Sequence, residues 1–169
     1  MMDLGDLRSR HPELAEALAQ ALSHHAAIAL GRRHAPGVEL SISIDGEAIR
    51  EALSWSPTTA EHALMVDARR ATEEAAECVA LAVVGRFRQW RIVRRLQPGE
   101  SADWLLVDEA GQRIVLEISG TDSGPFEPRV RQKRGQAALA SARGRPAVSV
   151  VRFLEPQAML EDRIASDVP

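Results

Sequence analysis

Hydrophobic and polar residues follow two different periods along the first third of the chain. Leucines spaced by four residues predict a helix over about residues 12–30. Strict alternation of apolar and polar side chains then predicts a half-buried strand over residues 38–44. After a turn, residues 47–53 fit either a short helix or a return strand. The N-terminal part is therefore expected to be a helix–strand extension.

A long alanine-rich helix is the next predicted element, over about residues 59–87. Apolar side chains recur there at intervals of three and four residues and form one stripe. Thr58 and Glu61 have the spacing of a capping box just before this stripe. Because alanine is small, the stripe predicts close packing against a sheet or another helix.

Beyond residue 90 the pattern changes to that of strands. Residues 108–111 have the composition of a hairpin loop between two of these strands. The order α–β–β–β–α–β predicts an α/β (α+β) core over residues 57–169, preceded by the helix–strand extension over residues 1–56. After the long helix, the predicted elements are strands at 90–95, 102–107 and 113–119, a helix at 128–142, a strand at 147–153 and a helix at 156–165.

The composition is that of an ordinary soluble globular protein, with 45% hydrophobic and 27% charged residues. No apolar run reaches the roughly 18 residues that a membrane helix needs, and the acidic N-terminus does not resemble a signal peptide. The single cysteine, Cys78, excludes an internal disulfide framework and a cysteine-based zinc cluster. These features predict a cytoplasmic protein with no membrane partner. The five histidines are expected at the surface or at helix ends.

Charge is distributed unevenly along the chain, although the net charge is only −3. Residues 1–85 carry 7 Arg against 13 Asp and Glu, whereas residues 86–152 carry 12 Arg and 1 Lys against 7 acidic residues. A basic segment within an acidic protein fits a polyanion such as nucleic acid. On charge alone, an uneven solvated surface is an equally good interpretation.

Lys133 is the one lysine of the chain, beside 20 arginines. Abundant alanine and arginine and the absence of tyrosine indicate a coding bias that favours arginine wherever arginine and lysine would serve equally well. A lysine is compact and can shift its pKa, whereas a guanidinium group is planar and stays protonated. Lys133 is therefore a candidate for a position at which arginine cannot serve, with chance survival as the alternative.

Two acidic residues lie on the strands of the predicted hairpin. In its second strand, Glu117 and Ser119 share one face because side chains alternate. Asp103 stands at the start of the first strand, so pairing through the loop brings it near Glu117 or Ser119. Two such carboxylates repel each other unless a proton or a cation lies between them. Oxygen ligands of this kind suit Mg²⁺ or Mn²⁺.

The run Glu-Ser-Ala-Asp that ends at Asp103, the hairpin, and the run Leu-Glu-Ile-Ser that ends at Ser119 resemble the PD-(D/E)XK phosphodiesterase superfamily. The resemblance covers roughly residues 59–153 and implies a restriction endonuclease-like fold. It also implies that Asp103 and Glu117 bind the metal and that the main-chain carbonyl of Ile118 completes its ligands. In this superfamily a lysine helps to activate the attacking water.

The chain departs from that family pattern at two positions. Ala102 stands where the pattern has proline, and Ser119 stands where it has lysine. Some members supply the lysine from the following helix, which makes Lys133 the candidate here. A further acid often lies on the preceding long helix, and Glu74 and Glu77 are both candidates for it.

One face of the predicted helix at 128–142 carries the candidates for substrate binding. Arg129, Lys133 and Gln136 are spaced by four and three residues, so they line the same helical face. Arg129 and Gln136, together with Ser119, are expected to contact a phosphodiester substrate beside the metal site.

The function expected from these features is a metal-dependent nucleic-acid phosphodiesterase with Mg²⁺ or Mn²⁺ as cofactor. Its catalytic residues would be Asp103, Glu117 and Lys133, and DNA and RNA are equally open as substrates. The alternative is a catalytically inactive relative that binds nucleic acid or protein, which the serine at position 119 favours unless Lys133 compensates. The N-terminal half then offers helical surface for a homodimer or a second protein.

Overall fold

The structure is a computed structural model that describes residues 1–162. Within these residues the chain is a mixed α/β protein with one eight-stranded sheet and five α-helices. In the same part of the chain, no helix is both long and apolar enough to cross a membrane. The predicted α/β class is confirmed, whereas several elements differ from their predicted bounds.

The N-terminal third contributes three strands and two helices. Its elements are β1 (Met2–Asp3), α1 (Leu7–Arg10), α2 (Glu16–Gly31), β2 (Glu39–Ile44) and β3 (Glu47–Ser54). Helix α2 begins later than its leucine pattern predicts, because the Leu14 N–H donates to the His11 carbonyl in a turn. The alternating strand is confirmed as β2, and the segment with two alternatives is a return strand, β3.

The alanine-rich segment is two helices, so the prediction of a single long helix is wrong. The short α3 (Ala60–Leu64) is capped by the hydroxyl of Thr59 rather than by Thr58. Helix α4 (Ala68–Phe87) begins after Asp67, whose carboxylate accepts a hydrogen bond from an N–H of the first turn at 2.9 Å. The Asp67 cap starts a new helix in the middle of the predicted one.

The remaining described residues form five strands and one α-helix. They are β4 (Arg91–Arg95), β5 (Trp104–Val107), β6 (Arg113–Thr121), α5 (Phe126–Leu139), β7 (Arg145–Arg152) and β8 (Gln157–Glu161). The helix predicted over residues 156–165 is wrong where the structure describes it. Residues 157–161 instead form a strand that pairs with β7 on one side and β2 on the other, and residues 163–165 lie outside the described residues.

The strand order across the sheet is β1-β3-β2-β8-β7-β6-β5-β4. Strands β4, β5 and β6 form an antiparallel meander, and α5 connects β6 to β7, which pairs with it in parallel. In the hairpin register Trp104 lies opposite Leu116, which places the residue before β5 beside Glu117. The two candidate carboxylates are therefore held by β5 and β6, the second and third strands from the β4 edge of the sheet.

Helices cover both faces of the sheet. On one face, apolar residues of β6 such as Leu116 belong to the same core cluster as those of α2 and α4, for example Ala76. On the other face, Val130 of α5 packs against Val148 and other residues of β7. Alternation along β6 therefore directs Glu117 towards the face that α5 covers.

Gly120 in β6 allows close contact between α4 and the sheet. A Cβ atom at Gly120 would lie 2.4 Å from the Thr72 carbonyl oxygen and 2.9 Å from the Ala76 Cβ. Both neighbours belong to α4, so no larger residue fits at this position without moving the helix. The small alanine side chains of α4 likewise allow the helix to pack closely on the sheet, as the sequence predicts.

Residues 1–56 share the sheet and the core with the rest of the described chain. Strand β2 pairs in parallel with β8, and α2 packs along α4. One core cluster extends from Met2 to Leu160. His11, the residue directly after α1, is also part of this interior: it is fully buried and its Nε2–H donates to the Leu81 carbonyl at 2.8 Å, so it lies at a helix end as predicted but not at the surface.

Candidate active site

The hairpin of β5 and β6 fixes two carboxylates at the start of β5. Asp103 directly precedes β5, and its Oδ2 accepts a hydrogen bond from the Ile118 N–H at 2.6 Å. Glu117 is the neighbouring residue on β6 and is buried. Both side chains line one cleft. The sequence spacing, with a short loop between two paired strands, is what brings them together.

Helix α5 brings Lys133 to the same place. The helix returns over β6 and β7 after the loop that follows β6. The Lys133 ammonium group donates to Glu117 Oε1, and this ion pair is mostly buried. Three residues that are far apart in the sequence, Asp103, Glu117 and Lys133, thus form one cluster.

Burial and like charge act together on the two carboxylates. Burial raises the pKa of Glu117, the neighbouring Asp103 carboxylate raises it further, and the Lys133 ammonium opposes both effects. Burial also raises the pKa of Asp103, against the hydrogen bond from Ile118 and the charge of Lys133. Both groups are therefore costly to ionise without added positive charge, which is the condition that favours cation binding.

Of the two further acids, the structure brings Glu77 to the site and leaves Glu74 elsewhere. Glu77 Oε1 accepts from Arg95 at 2.5 Å, and Oε2 accepts from the Trp104 Nε1–H at 2.9 Å. Burial raises the pKa of Glu77 to about 7, against the charge of Arg95. Glu74 instead pairs with His25 and Arg70 on another side of α4.

Two open clefts meet at this cluster and share Arg95 and Asp103. The first, here called the Lys133 cleft, has a volume of about 450 Å³. It is lined mainly by charged residues of α4 and α5 and by residues 118–120. The second, here called the Gln136 cleft, has a volume of about 730 Å³. It is lined by residues 95–99, 101–103, Glu117, Gln136 and Leu139.

The structure distributes the three candidate substrate contacts between these clefts. Ser119 and Arg129 lie in the Lys133 cleft, where Arg129 Nη1 donates to Ser119 Oγ at 2.9 Å and to the Gly120 carbonyl at 3.2 Å. Gln136 lies in the other cleft, beside Glu117. The common helical face predicted for Arg129, Lys133 and Gln136 therefore spans both clefts.

The donors around Asp103 fit a hard cation. Asp103 keeps one carboxylate oxygen outside its bond to Ile118, and Glu117 adds a second carboxylate. The N–H and C=O of a strand residue point to the same side, so the Ile118 carbonyl also lies on the Asp103 side of β6. Among residues 1–162 no group of three or more His, Cys, Asp or Glu side chains is arranged to hold a metal. An ion here would thus combine two carboxylates with main-chain and water oxygens, a mode that suits Mg²⁺.

Arg95 is the site residue that the sequence reasoning missed. Its guanidinium group binds Glu77, and its Cζ atom lies 5.8 Å from the centre of the Trp104 ring. Arg95 also lines both clefts. Strand pairing predicts its position, because Arg95 ends the first strand of the meander and pairs with Trp104, the residue after Asp103. A basic residue that pairs with the neighbour of a candidate carboxylate is the signal that identifies it.

No family model matches the chain, and no curated protein or solved structure is significantly similar to it.

Proposed function

We propose that the protein is a metal-dependent phosphodiesterase that acts on nucleic acid. The observation that carries this proposal is the convergence of Asp103, Glu117 and the single lysine of the chain at the point where the two clefts meet. A structural ion pair would need only one acid and any base. Here a second carboxylate, Asp103, lies beside the pair and raises the pKa of Glu117.

In the proposed reaction, Asp103, Glu117 and the Ile118 carbonyl hold a Mg²⁺ ion, or Mn²⁺ in its place. The ion supplies Lewis-acid stabilisation of the charge that develops on the phosphate. The Lys133 ammonium, which pairs with Glu117, would stabilise the negative charge that develops on the phosphate and would donate a proton to the leaving oxygen, while the attacking water would release its proton to solvent. Arg129 and Ser119 orient the phosphodiester from the Lys133 cleft.

The arrangement of elements supports the same proposal. Helix α4, the meander β4-β5-β6, helix α5 and strand β7, which is parallel to β6, follow one another along the chain, and this succession is compatible with the PD-(D/E)XK resemblance. The basic composition of this segment supports a polyanionic substrate. Glu77, which accepts a hydrogen bond from Trp104, fits the further acid that the resemblance implies on the preceding helix.

The test compares wild type with Lys133→Ala and Lys133→Arg on single- and double-stranded DNA and RNA, with Mg²⁺, with Mn²⁺ and with EDTA. Wild type is expected to cleave at least one of these substrates only with metal. Both variants should lose about 100-fold or more in rate, because a guanidinium group differs in size and does not release a proton near neutral pH. Arg131→Ala, on the exposed side of α5, is the matched control and should keep its rate.

Two results would contradict this proposal. Full activity in Lys133→Arg would remove the catalytic role of the ammonium group and leave only a phosphate contact. Absence of metal-dependent cleavage by wild type on all four substrates would remove the enzymatic proposal altogether.

The second candidate function is a binding module with the same fold and no turnover. Two contacts favour it: Lys133 is paired with Glu117, and Ser119 is held by Arg129, so the polar groups satisfy one another within the chain. In that case the N-terminal half provides the contact surface for a second copy or another protein. Leu64 and Met65, which are exposed at the end of α3, lie in that half.

A further inference from the structure

The two clefts that meet at Asp103 differ in chemical character. In the Gln136 cleft the charged residues are Arg95, Asp103 and Glu117, and two of these are shared with the Lys133 cleft. The other lining residues are uncharged. The Lys133 cleft carries four basic and three acidic side chains, whereas the Gln136 cleft carries one basic and two acidic side chains, so a phosphate group is better matched by the Lys133 cleft.

Apolar walls and neutral polar groups face each other in the Gln136 cleft. Leu96, Pro98 and Ala102 lie on the side of the segment before β5, and Leu139 lies on the side of α5. The Leu139 side chain is 78% exposed, which is unusual for a leucine in the last turn of a helix that packs on a sheet. Such walls suit a flat, uncharged, largely apolar group.

Gln136 lines this cleft and carries an unsatisfied hydrogen-bonding atom. Its Oε1 is buried and has no hydrogen-bond partner among the described residues. A buried amide oxygen without a hydrogen-bond partner destabilises the folded protein, and a hydrogen bond from a bound ligand would remove this cost. A primary amide also offers a donor beside the acceptor, which is the pattern that pairs with the edge of a nucleobase.

We propose that the Gln136 cleft binds one unpaired nucleobase next to the phosphodiester that lies at Asp103. This inference rests on the proposed function and specifies its substrate as single-stranded nucleic acid or a nucleotide extruded from a duplex. The cleft volume of about 730 Å³ lies in the usual range for small-molecule sites and accommodates a nucleotide. A base that remains stacked in a duplex cannot enter a cleft between a loop and a helix, so it must leave the stack.

The first test is the strand preference of cleavage. Wild type should cleave a single-stranded oligonucleotide at least about tenfold faster in kcat/KM than the same sequence in a duplex, since extrusion of a paired base costs a few kcal/mol. Gln136→Leu should lose about tenfold or more on the single strand, because the base loses its hydrogen-bonding partner. Gln112→Leu, a substitution of the same type in the exposed β5–β6 loop, should stay within about twofold of wild type.

Equal rates on single strand and duplex would overturn the base site, and so would a Gln136→Leu variant with the wild-type rate on the single strand. Thermal unfolding of both leucine variants, measured alongside, distinguishes a lost contact from a lost fold. A Gln136→Asn variant provides a second check, because it keeps the amide but withdraws it by one methylene group and should also lose activity on the single strand.

Binding without cleavage separates this inference from the proposed function. Oligonucleotides that contain the fluorescent base 2-aminopurine are titrated in EDTA with wild type, Gln136→Leu and Gln112→Leu. A fluorescence change in wild type, with an affinity about tenfold weaker in Gln136→Leu alone, supports the base site even if no substrate is cleaved. Equal affinity in all three proteins, or no binding, overturns it. In that case metal-dependent cleavage that Lys133→Ala abolishes would still support the nuclease.

Discussion

Glu77 is a buried carboxylate that accepts hydrogen bonds from Arg95 and Trp104 beside Asp103. Its contacts show why the sequence alone does not distinguish Glu74 from Glu77 as the further acid of the site. The two residues are three positions apart on one helix, so both fit the same apolar stripe. Only the position of α4 over the meander decides which of them contacts Trp104.

Glu77 should make the protein less stable as the pH rises. Burial raises its pKa from 4.5 to about 7, so between these values the folded state binds more protons than the unfolded state. The free energy of unfolding should therefore fall across this window, by up to about 3 kcal/mol. Urea denaturation in EDTA at pH 5, 6, 7 and 8 measures the slope for wild type and for Glu77→Gln. The slope should be shallower in the variant, and identical slopes would contradict the buried carboxylate.

His11 should have the opposite effect on the pH dependence. Burial lowers its pKa below 6.5, against its hydrogen bond to the Leu81 carbonyl. The folded state then binds fewer protons than the unfolded state below pH 6.5, so stability is lost as the pH falls through 6.5 towards the lowered pKa. His11→Gln keeps an N–H donor and does not titrate, so the same urea series should show a smaller loss between pH 6.5 and 5. A loss as large as that of wild type would exclude this role.

At the scale of elements, the contact of α4 with β6 depends on Gly120. We expect Gly120→Ala to lower the free energy of unfolding by about 2–3 kcal/mol, because the new Cβ meets the main chain of α4 rather than a flexible side chain. Gly135→Ala is the matched control on α5, where a Cβ meets no atom within 4 Å. That variant should gain about 0.5–1 kcal/mol from higher helix propensity. Urea denaturation distinguishes them, and equal effects would exclude the close contact.

The elements that the sequence predicts correctly are those with a clear local period. Strand β2 and the hairpin of β5 and β6 alternate strictly or contain a strong turn, and both are confirmed. Strand β8 is not predictable in this way. Its apolar run of Ala158, Met159 and Leu160 is too short for its period to separate strand from helix. The pairing edges of β7 and β2 decide its conformation, and these are distant in the sequence.

At the scale of the whole molecule, residues 1–56 and the remainder should unfold together. One core cluster contains residues of both parts, including Trp55 on the N-terminal side and Trp90 and Trp104 on the other. Fluorescence of the tryptophans and far-UV circular dichroism should therefore give one coincident transition in urea. Two separated transitions would show that the N-terminal part unfolds as an independent domain.

The sequence by itself determined the α/β class, the hairpin that holds Asp103 and Glu117 together, and the candidacy of Lys133 as the only lysine. These follow from local periodicity, turn composition and residue usage, all of which act over a few residues. The tertiary structure decided the pairing of β8, the choice of Glu77 over Glu74, the place of Arg95 and the existence of a second cleft at Gln136. These depend on which distant segments are neighbours in space, because burial and hydrogen-bond partners are set by the packing of the whole chain and not by any one segment.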